Sequence, residues 1–282
     1  MPLIEDPDLA EVLTSASDDD IGLLIDLITD NGSGRISVST AVTRQLVAAK
    51  VNGPDDVARA LIAEELSRFG GNSMMNFVRR GKGVRYAEVA ADVMSHTGAP
   101  KSASGDCAAM ELAVIGKVFE QSLSRMSEED KSTLFSSMGA PYRAGMGPAA
   151  LAALMGTLGA SGAASYRLSA LVASATMSSL VGRGVILTAG STALGRGLAV
   201  LTGPLGWAIT GIWTAFDLAS PAYRVTVPCV IQIGYMRQKM LLASACPTCH
   251  TPLTPGGNFC GKCGVRLITG PSSAKQVLRI QN

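Results

Sequence analysis

The chain contains 282 residues with a formal net charge of +2, and that length buries a substantial core without disulfides or metal. Four of its six cysteines form two close pairs near the C-terminus, a spacing that excludes a disulfide framework and indicates metal ligands in a reducing compartment. The first residues form neither a basic segment nor an apolar one, so we expect no secretory signal and a cytoplasmic protein.

Charge is distributed unevenly along the chain. Residues 1–66 carry 13 acidic and 4 basic side chains, residues 67–143 carry 8 and 10, and residues 144–282 carry 1 and 10. We therefore expect an anionic partner, either a phospholipid headgroup or a nucleic acid, to meet the C-terminal half. The alternative interpretation is that a sparsely charged region keeps its arginines only where they contact water.

Residues 1–143 are predicted to form a domain of amphipathic helices. One apolar stripe follows an acidic run and comprises Ile21, Leu24, Ile25 and Ile28, and a second comprises Leu112, Ile115, Phe119, Leu123 and Met126. Their spacing is that of helix faces that pack into a core. The segment from Ser127 to Asp130 offers a cap for the next helix. Because no comparable period-2 alternation occurs, the predicted fold class is all-α.

A loop between these two stripes concentrates positive charge. It follows the glycine-containing segment 69–73, and its cations are Arg79, Arg80, Lys82 and Arg85. Such a loop is a candidate anion-binding site. A solvated basic loop is the favoured alternative, because no complete phosphate-binding motif is present.

Residues 144–245 are predicted to form a second helical domain that begins with a Gly/Ala-rich apolar tract. Residues 144–223 carry only four formal charges, and the uncharged windows 144–166 and 197–216 approach the ~20 residues that a membrane-spanning helix needs. Small residues also recur every four positions, a spacing typical of helices that pack closely in lipid. The two ladders are Ser161, Ser165, Ser169 and Ala173, and Ser191, Gly195, Ala199 and Gly203.

Charged residues interrupt the tract. An arginine at mid-bilayer costs ~2.5–3.5 kcal/mol on insertion scales, whereas each glycine costs a helix in water about 1 kcal/mol relative to alanine. These opposed costs favour a conditional element that folds on itself in one state and inserts as helical hairpins in another. In the inserted state, Arg183 or Arg196 is predicted to pair with Asp217. A purely soluble bundle is the alternative.

Residues 224–245 are predicted to form an ordinary amphipathic helix with Pro228 in its first turn. Cys229 is predicted to be a core residue. The apolar face comprises Cys229, Ile233, Met236 and Met240, and the side chains expected to face away are Gln232, Gln238 and Lys239.

Several separated motifs resemble the bacterial YaaW family of uncharacterised proteins. They are IAEELSRFGGNS at 62–73, GKGVRY at 81–86 and AYRVTVPCVIQI at 222–233. The resemblance spans about residues 5–240 and implies a bacterial, mainly helical protein with no family-wide enzymatic activity. It provides no catalytic residue, and the cysteine pairs lie beyond the family core.

Residues 246–269 are predicted to form a zinc ribbon, followed by a flexible tail at 270–282. Its ligands are Cys246, Cys249, Cys260 and Cys263. Two thiolates from each of two tight knuckles complete a tetrahedral shell, the signature of structural Zn²⁺. Since four protein ligands leave no open coordination position, catalysis by this zinc is not expected.

The leading hypothesis is a non-enzymatic, membrane-associated helical protein, pore-forming or membrane-perturbing, at the cytoplasmic face of or within the inner membrane. Its expected partners are an anionic membrane, a protein that docks on the ribbon, and further copies of the chain. The alternative is a soluble helical adaptor that binds a protein or a nucleic acid through its basic C-terminal half. Nucleic acid is the less favoured partner, because Phe259 is the only aromatic residue of the ribbon.

Overall fold

The computed structural model describes residues 4–35, 37–70, 83–101, 105–137, 141–146, 162–180, 205–206, 208–211, 222–249, 251–253 and 257–267. Within these ranges the chain forms nine α-helices of at least nine residues, further helical residues at 205–206 and 208–211, and no β-strand, which confirms the predicted all-α class. In chain order the helices are α1 (Pro7–Ser15), α2 (Asp18–Thr29), α3 (Thr40–Asn52), α4 (Asp56–Gly70), α5 (Tyr86–Thr97), α6 (Cys107–Leu123), α7 (Glu128–Ser137), α8 (Gly162–Leu180) and α9 (Tyr223–Ala243).

Side chains that accept hydrogen bonds from backbone N–H groups cap several helices and fix where they begin. At the start of α2, Ser17 Oγ accepts from the N–H of Asp20 at 3.4 Å. The predicted cap of α7 is confirmed. There Ser127 Oγ accepts from the N–H of Asp130 at 3.1 Å and donates to Oδ2 of Asp130 at 2.7 Å.

The two predicted apolar stripes lie in the core. All four members of the first stripe, on α2, are fully buried. In the second stripe Ile115, Phe119 and Leu123 are fully buried, whereas Leu112 is half-buried and Met126 follows the end of α6. The periodic pattern therefore located both helices and most of the side chains that they bury.

Helix α9 is the centre of the molecule. It packs against α1, α2, α4, α5, α6 and α8, and every residue from Val225 to Met236 is buried. An amphipathic helix at a surface has one buried face, whereas α9 is covered on all sides over these turns. Side chains from both predicted helical domains join in one hydrophobic cluster around it.

Three expectations about this helix are wrong. Pro228 lies inside the helix instead of in its first turn, because α9 already begins at Tyr223. Because proline has no backbone N–H, the helix lacks one i→i−4 hydrogen bond at this position. Gln232 and Gln238 are buried, with exposed fractions of 1% and 5%. Cys229 is buried as predicted.

Helix α8 is the longest described part of the apolar tract. All ten residues from Leu168 to Met177 are buried, and the helix packs mainly against α9, with the rings of Tyr166 and Tyr235 5.9 Å apart. Most of the window 144–166 and of the window 197–216 lies outside the described residues. Among the helices that the structure does describe, none combines the length and the apolar character needed to cross a bilayer.

Two cations of the basic C-terminal half pair with acidic side chains from residues 1–143 inside the protein. Lys239 Nζ lies 2.6 Å from Oδ2 of Asp20, and Arg237 Nε lies 2.8 Å from Oε2 of Glu111. Two of the cations that the sequence offered to an external anion therefore hold α9 against α2 and α6.

Candidate metal centre

The four predicted ligand cysteines lie together at the C-terminal end of the described structure. Their sulfur atoms all lie within 4.8 Å of one another. Cys246 Sγ is 3.6 Å from Cys263 Sγ, and Cys249 Sγ is 3.5 Å from Cys260 Sγ. A tetrahedral shell with metal–sulfur bonds of about 2.3 Å has sulfur–sulfur edges of about 3.8 Å. The cluster is therefore able to hold a metal ion with little rearrangement.

The end of α9 positions the first cysteine pair. The N–H of Ser244 donates to the carbonyl of Met240 at 3.1 Å and closes the helix. An antiparallel bridge between Ala245 and Pro252 follows directly, and the N–H of Cys246 donates to the carbonyl of Thr251 at 2.9 Å. The first knuckle thus begins within three residues of the helix and is fixed to it by backbone hydrogen bonds.

A similar turn presents the second pair. The N–H of Cys260 donates to the carbonyl of Val265 at 2.9 Å, and the N–H of Gly264 donates to the carbonyl of Cys260 at 2.9 Å. Gly264 has a φ of 72°, a left-handed conformation that a side chain would disfavour. A second antiparallel bridge joins Phe259 to Arg266. Each of the two turns that carry the cysteine pairs therefore contains one antiparallel bridge, and neither becomes a full strand.

Local hydrogen bonds already favour thiolate at two of the four sulfurs. The hydroxyl and backbone N–H of Thr251 lower the pKa of Cys249 to about 6, and backbone N–H groups of Cys263 and Lys262 lower the pKa of Cys260. The pKa of Cys263 is raised to about 12, because desolvation and the neighbouring sulfurs outweigh the hydrogen bond from Val265. A bound cation would favour the thiolate at all four positions.

The other predicted site residues lie largely outside the described residues. They are Arg79, Arg80 and Lys82 of the basic loop, and Arg183, Arg196 and Asp217 of the tract. Arg85 is described. It is 65% exposed and forms a 3.4 Å ion pair with Asp8 of α1, so it has an internal partner at the end of the basic loop.

A buried polar network lies beside α9 and was not predicted from the sequence. Glu111 has no exposed surface. It accepts hydrogen bonds from Tyr86 Oη at 2.8 Å, from Arg237 Nε at 2.8 Å and from Arg237 Nη2 at 3.1 Å. Arg237 Nη2 also donates to the carbonyl of Asp8 at 2.8 Å. The network therefore joins α1, α5, α6 and α9.

Burial controls the protonation of this network. Desolvation raises the pKa of Glu111, and the hydrogen bonds and charge of Arg237 oppose that rise. The pKa of Tyr86 is raised well above its usual value by burial and by the neighbouring Glu111 carboxylate. Tyr86 therefore stays a neutral donor across the ordinary pH range. The spacing carried one signal, because Glu111 lies four residues before Ile115 and therefore on the buried face of α6.

Curated relatives match between 64% and 83% of the chain. A UPF0174 protein of Helicobacter pylori strain J99 is 38% identical over 188 residues, which are 66% of the chain and 74% of the relative. A second UPF0174 protein of that strain is 37% identical over 183 residues, covering 64% and 87%. The UPF0174 protein YaaW of Escherichia coli strain K12 is 25% identical over 240 residues, covering 83% and 95%.

The names of these relatives state neither an activity nor a ligand. No protein-family model and no solved structure matches the chain. With 38% identity over 74% of a relative's length, and with motifs that already resembled YaaW, the chain belongs to the UPF0174 family.

Proposed function

We propose that this UPF0174 protein is a non-enzymatic helical protein that associates with anionic membranes and inserts its apolar tract after the tract leaves the packed core. One observation carries the proposal. Helix α8, within the tract, is buried and rich in small residues, yet its contact with α9 contains polar groups that make no hydrogen bonds.

These groups belong to both helices. Within the described part of the chain, Ser169 Oγ, Thr176 Oγ1 and both polar atoms of the Gln232 amide make no hydrogen bond. Ser169 lies one turn after Tyr166, and Gln232 lies one turn before Tyr235, so both fall near the ring contact between α8 and α9. A buried polar group without a partner costs ~1–3 kcal/mol. The α8–α9 contact is therefore weaker than its burial suggests.

The same composition suits a helix in lipid. Small residues allow helix backbones to approach closely, and serine, threonine and glutamine form hydrogen bonds between helices inside a bilayer. Released from α9, the polar groups of α8 would find such partners in a second helix of the tract or in another copy of the chain. Homo-oligomers that perturb or perforate the membrane are the expected inserted state.

Arg183, Arg196 and Asp217 fit this scheme as charges that face one another or a water-filled path, because charged side chains in lipid avoid the hydrocarbon. The protein in its packed state would lie in the cytoplasm and meet the inner membrane from that side. Net positive charge in the C-terminal half favours an anionic surface as its target.

We further assign Zn²⁺ as the metal of the cysteine cluster. Four thiolates are soft ligands that select zinc or iron over the hard cations magnesium and calcium. Cys246 and Cys260 are buried, so a metal would bind with two of its ligands shielded from solvent. With all four positions occupied by sulfur, zinc would stabilise the ribbon and activate no water. We therefore propose a structural or docking role and no enzymatic one.

Vesicle assays on the full-length, zinc-loaded protein test membrane association. We expect the protein to co-sediment with phosphatidylglycerol vesicles and to release a trapped dye from them. The proposal fails if the protein stays in the supernatant without detergent and neither binds nor leaks these vesicles. That outcome would favour the soluble adaptor instead.

Metal analysis tests the zinc assignment. We expect about one zinc per chain in the wild-type protein, and a Cys260→Ser variant should lose it because three thiolates no longer close the shell. A Cys107→Ala variant is the matched control, since Cys107 is buried in α6 away from the cluster. Unchanged zinc in Cys260→Ser, or iron in its place, would contradict the assignment.

A further inference from the structure

The cysteine ribbon exposes an aromatic ring to solvent. Phe259 is 61% exposed, and Leu241, in the last turn of the adjoining α9, is 45% exposed. These are two of only four large apolar side chains that are exposed in the described part of the chain. Single exposed apolar side chains are common on protein surfaces, so the ring by itself identifies no binding site and its charged neighbours must be considered.

Basic residues lie close to Phe259 in the sequence, and acidic residues do not. No aspartate or glutamate occurs after Asp217. Lys262 and Arg266 are both exposed, and neither forms an ion pair with any residue that the structure describes. Two cations of α9, Arg237 and Lys239, form ion pairs with Glu111 and Asp20 inside the protein. The ribbon cations, in contrast, have no ion-pair partner among the described residues.

Backbone pairing places the ring beside one of the cations. Phe259 and Arg266 face each other in an antiparallel bridge, and directly paired residues project their side chains to the same side. Lys262 lies in the turn between them. With metal bound, the thiolates would place negative charge inside the ribbon, while both cations lie on its surface. The outward face therefore combines one apolar ring with two positive charges.

We infer that this face, formed by Phe259, Lys262 and Arg266, docks on an anionic phospholipid surface. The inference rests on the proposed membrane association and names the part of the protein that makes the first contact. A bilayer interface supplies phosphate oxygens and an apolar layer at adjacent depths, without a matching pocket. A single-stranded nucleic acid would instead call for several stacking rings, and the ribbon has one.

Docking and insertion can be distinguished by varying the salt concentration and the fraction of anionic lipid. Docking through Lys262 and Arg266 requires anionic lipid and weakens at high salt, whereas insertion of the apolar tract is much less sensitive to salt. In co-sedimentation with phosphatidylglycerol vesicles, removing each cation by Lys262→Ala or Arg266→Ala should weaken binding about fivefold. Phe259→Ser should weaken it about tenfold, since the ring no longer enters the interface.

Two matched variants control for general changes in charge and apolarity. Arg44→Ala removes an exposed cation from α3, and Val51→Ser removes an apolar side chain on the same helix that is 81% exposed. Both should bind vesicles as the wild type does. All variants should retain about one zinc per chain, which shows that the ribbon is folded.

Each remaining outcome has a defined meaning. Wild-type binding by all three ribbon variants, with leakage intact, overturns the docking inference and leaves the proposed function standing. Salt-sensitive binding that Phe259→Ser abolishes, without leakage, supports docking and contradicts insertion. A different result would overturn the assignment of lipid as the partner. In it, the wild type binds no vesicles, and the three ribbon variants bind single-stranded RNA or an acidic peptide more weakly than the wild type does.

Discussion

Helices α6 and α8 both pack against α9, but the buried polar groups at the two contacts differ in whether they form hydrogen bonds. On the α6 side, Glu111 is completely buried and accepts three hydrogen bonds from Tyr86 and Arg237. On the α8 side, Ser169 and Thr176 are completely buried and make no hydrogen bond within the described residues. Buried polar groups therefore stabilise the contact of α9 with α6 and weaken its contact with α8.

Backbone spacing shows the same contrast. A Cβ atom added at Gly234 would lie 2.9 Å from Cδ1 of Ile115 and 3.0 Å from Cβ of Glu111, so α9 and α6 approach each other as closely as a glycine permits. Against α8, α9 presents the large ring of Tyr235. The contacts of α9 with α6 and with α8 therefore differ in how their polar groups are satisfied, and the contact with α8 is the one that the proposed insertion requires to open.

The largest expected effect follows from removing the charge of Glu111. A Glu111→Gln variant leaves the Arg237 guanidinium half-paired in the core, and breaking a buried ion pair in this way costs about 3 kcal/mol or more. We expect that loss in the free energy of unfolding, measured by urea titration of the helical circular dichroism.

Glu120→Gln is the matched control on the same helix. Its carboxylate is 58% exposed and pairs with Lys117 at 2.9 Å, and exposed pairs of this kind contribute about 0–1 kcal/mol. If the two variants lose equal stability, the contact between α6 and α9 does not depend on the hydrogen bonds of Glu111.

The second prediction concerns the close approach at Gly234. A Gly234→Ala variant should destabilise the protein by about 1–2 kcal/mol, because overpacking costs ~1–3 kcal/mol and the gain in helix propensity returns up to about 1. Gly116→Ala should do the reverse, since nothing lies within 4 Å of a Cβ atom added at Gly116 of α6. The midpoints of thermal unfolding of both variants test this prediction. A Gly234→Ala variant that is more stable than the wild type would contradict the close packing of α9 against α6.

The third prediction addresses the α8 contact. Ser169→Ala and Thr176→Val each remove a buried hydroxyl without a partner and keep the shape of the side chain, so each should raise the free energy of unfolding by about 1 kcal/mol. Both variants should also leak anionic vesicles more slowly than the wild type. Ser178→Ala, at a half-buried position of the same helix, controls for helix propensity. A loss of stability in Ser169→Ala would mean that its hydroxyl has a partner.

Features set by neighbours in the sequence were predictable. The stripe of α2 and the cap of α7 depend on residues three or four positions apart, and each was located from the sequence. The cysteine cluster was equally accessible, because two residues separate the members of each pair and the spacing itself encodes the tetrahedral shell.

Features set by distant pairing were not predictable. Glu111 and Arg237 are 126 positions apart, and Asp20 and Lys239 are 219 apart. The acidic run of α2 indicated a helix start and gave no sign that Asp20 meets α9. Gln232 was expected at the surface because periodicity assigns polar residues to the exposed face, and that rule fails for a helix that neighbours cover on every side.

The smallest expected effect is a dependence on pH at His96. Its ring stacks on Tyr223, the first residue of α9, with centroids 3.6 Å apart and planes 8° apart. Burial lowers the pKa of His96 in the folded protein, whereas the unfolded chain retains a value of about 6.5. The unfolded state therefore binds the proton more readily, and stability falls as the pH drops through about 6.5.

A His96→Phe variant keeps a flat ring against Tyr223 and removes the titration. The urea midpoint of the wild type should fall between neutral and mildly acidic pH, and that part of the fall should be absent from the variant. Asp92, whose pKa is raised by burial and whose charge acts on Tyr223, is present in both proteins, so its contribution is common to the two titrations. Because Tyr223 is where the chain passes from the apolar tract into α9, the same acidification should speed vesicle leakage by the wild type more than by His96→Phe. An equal pH response of the two proteins would place the acid sensitivity at other residues of the core.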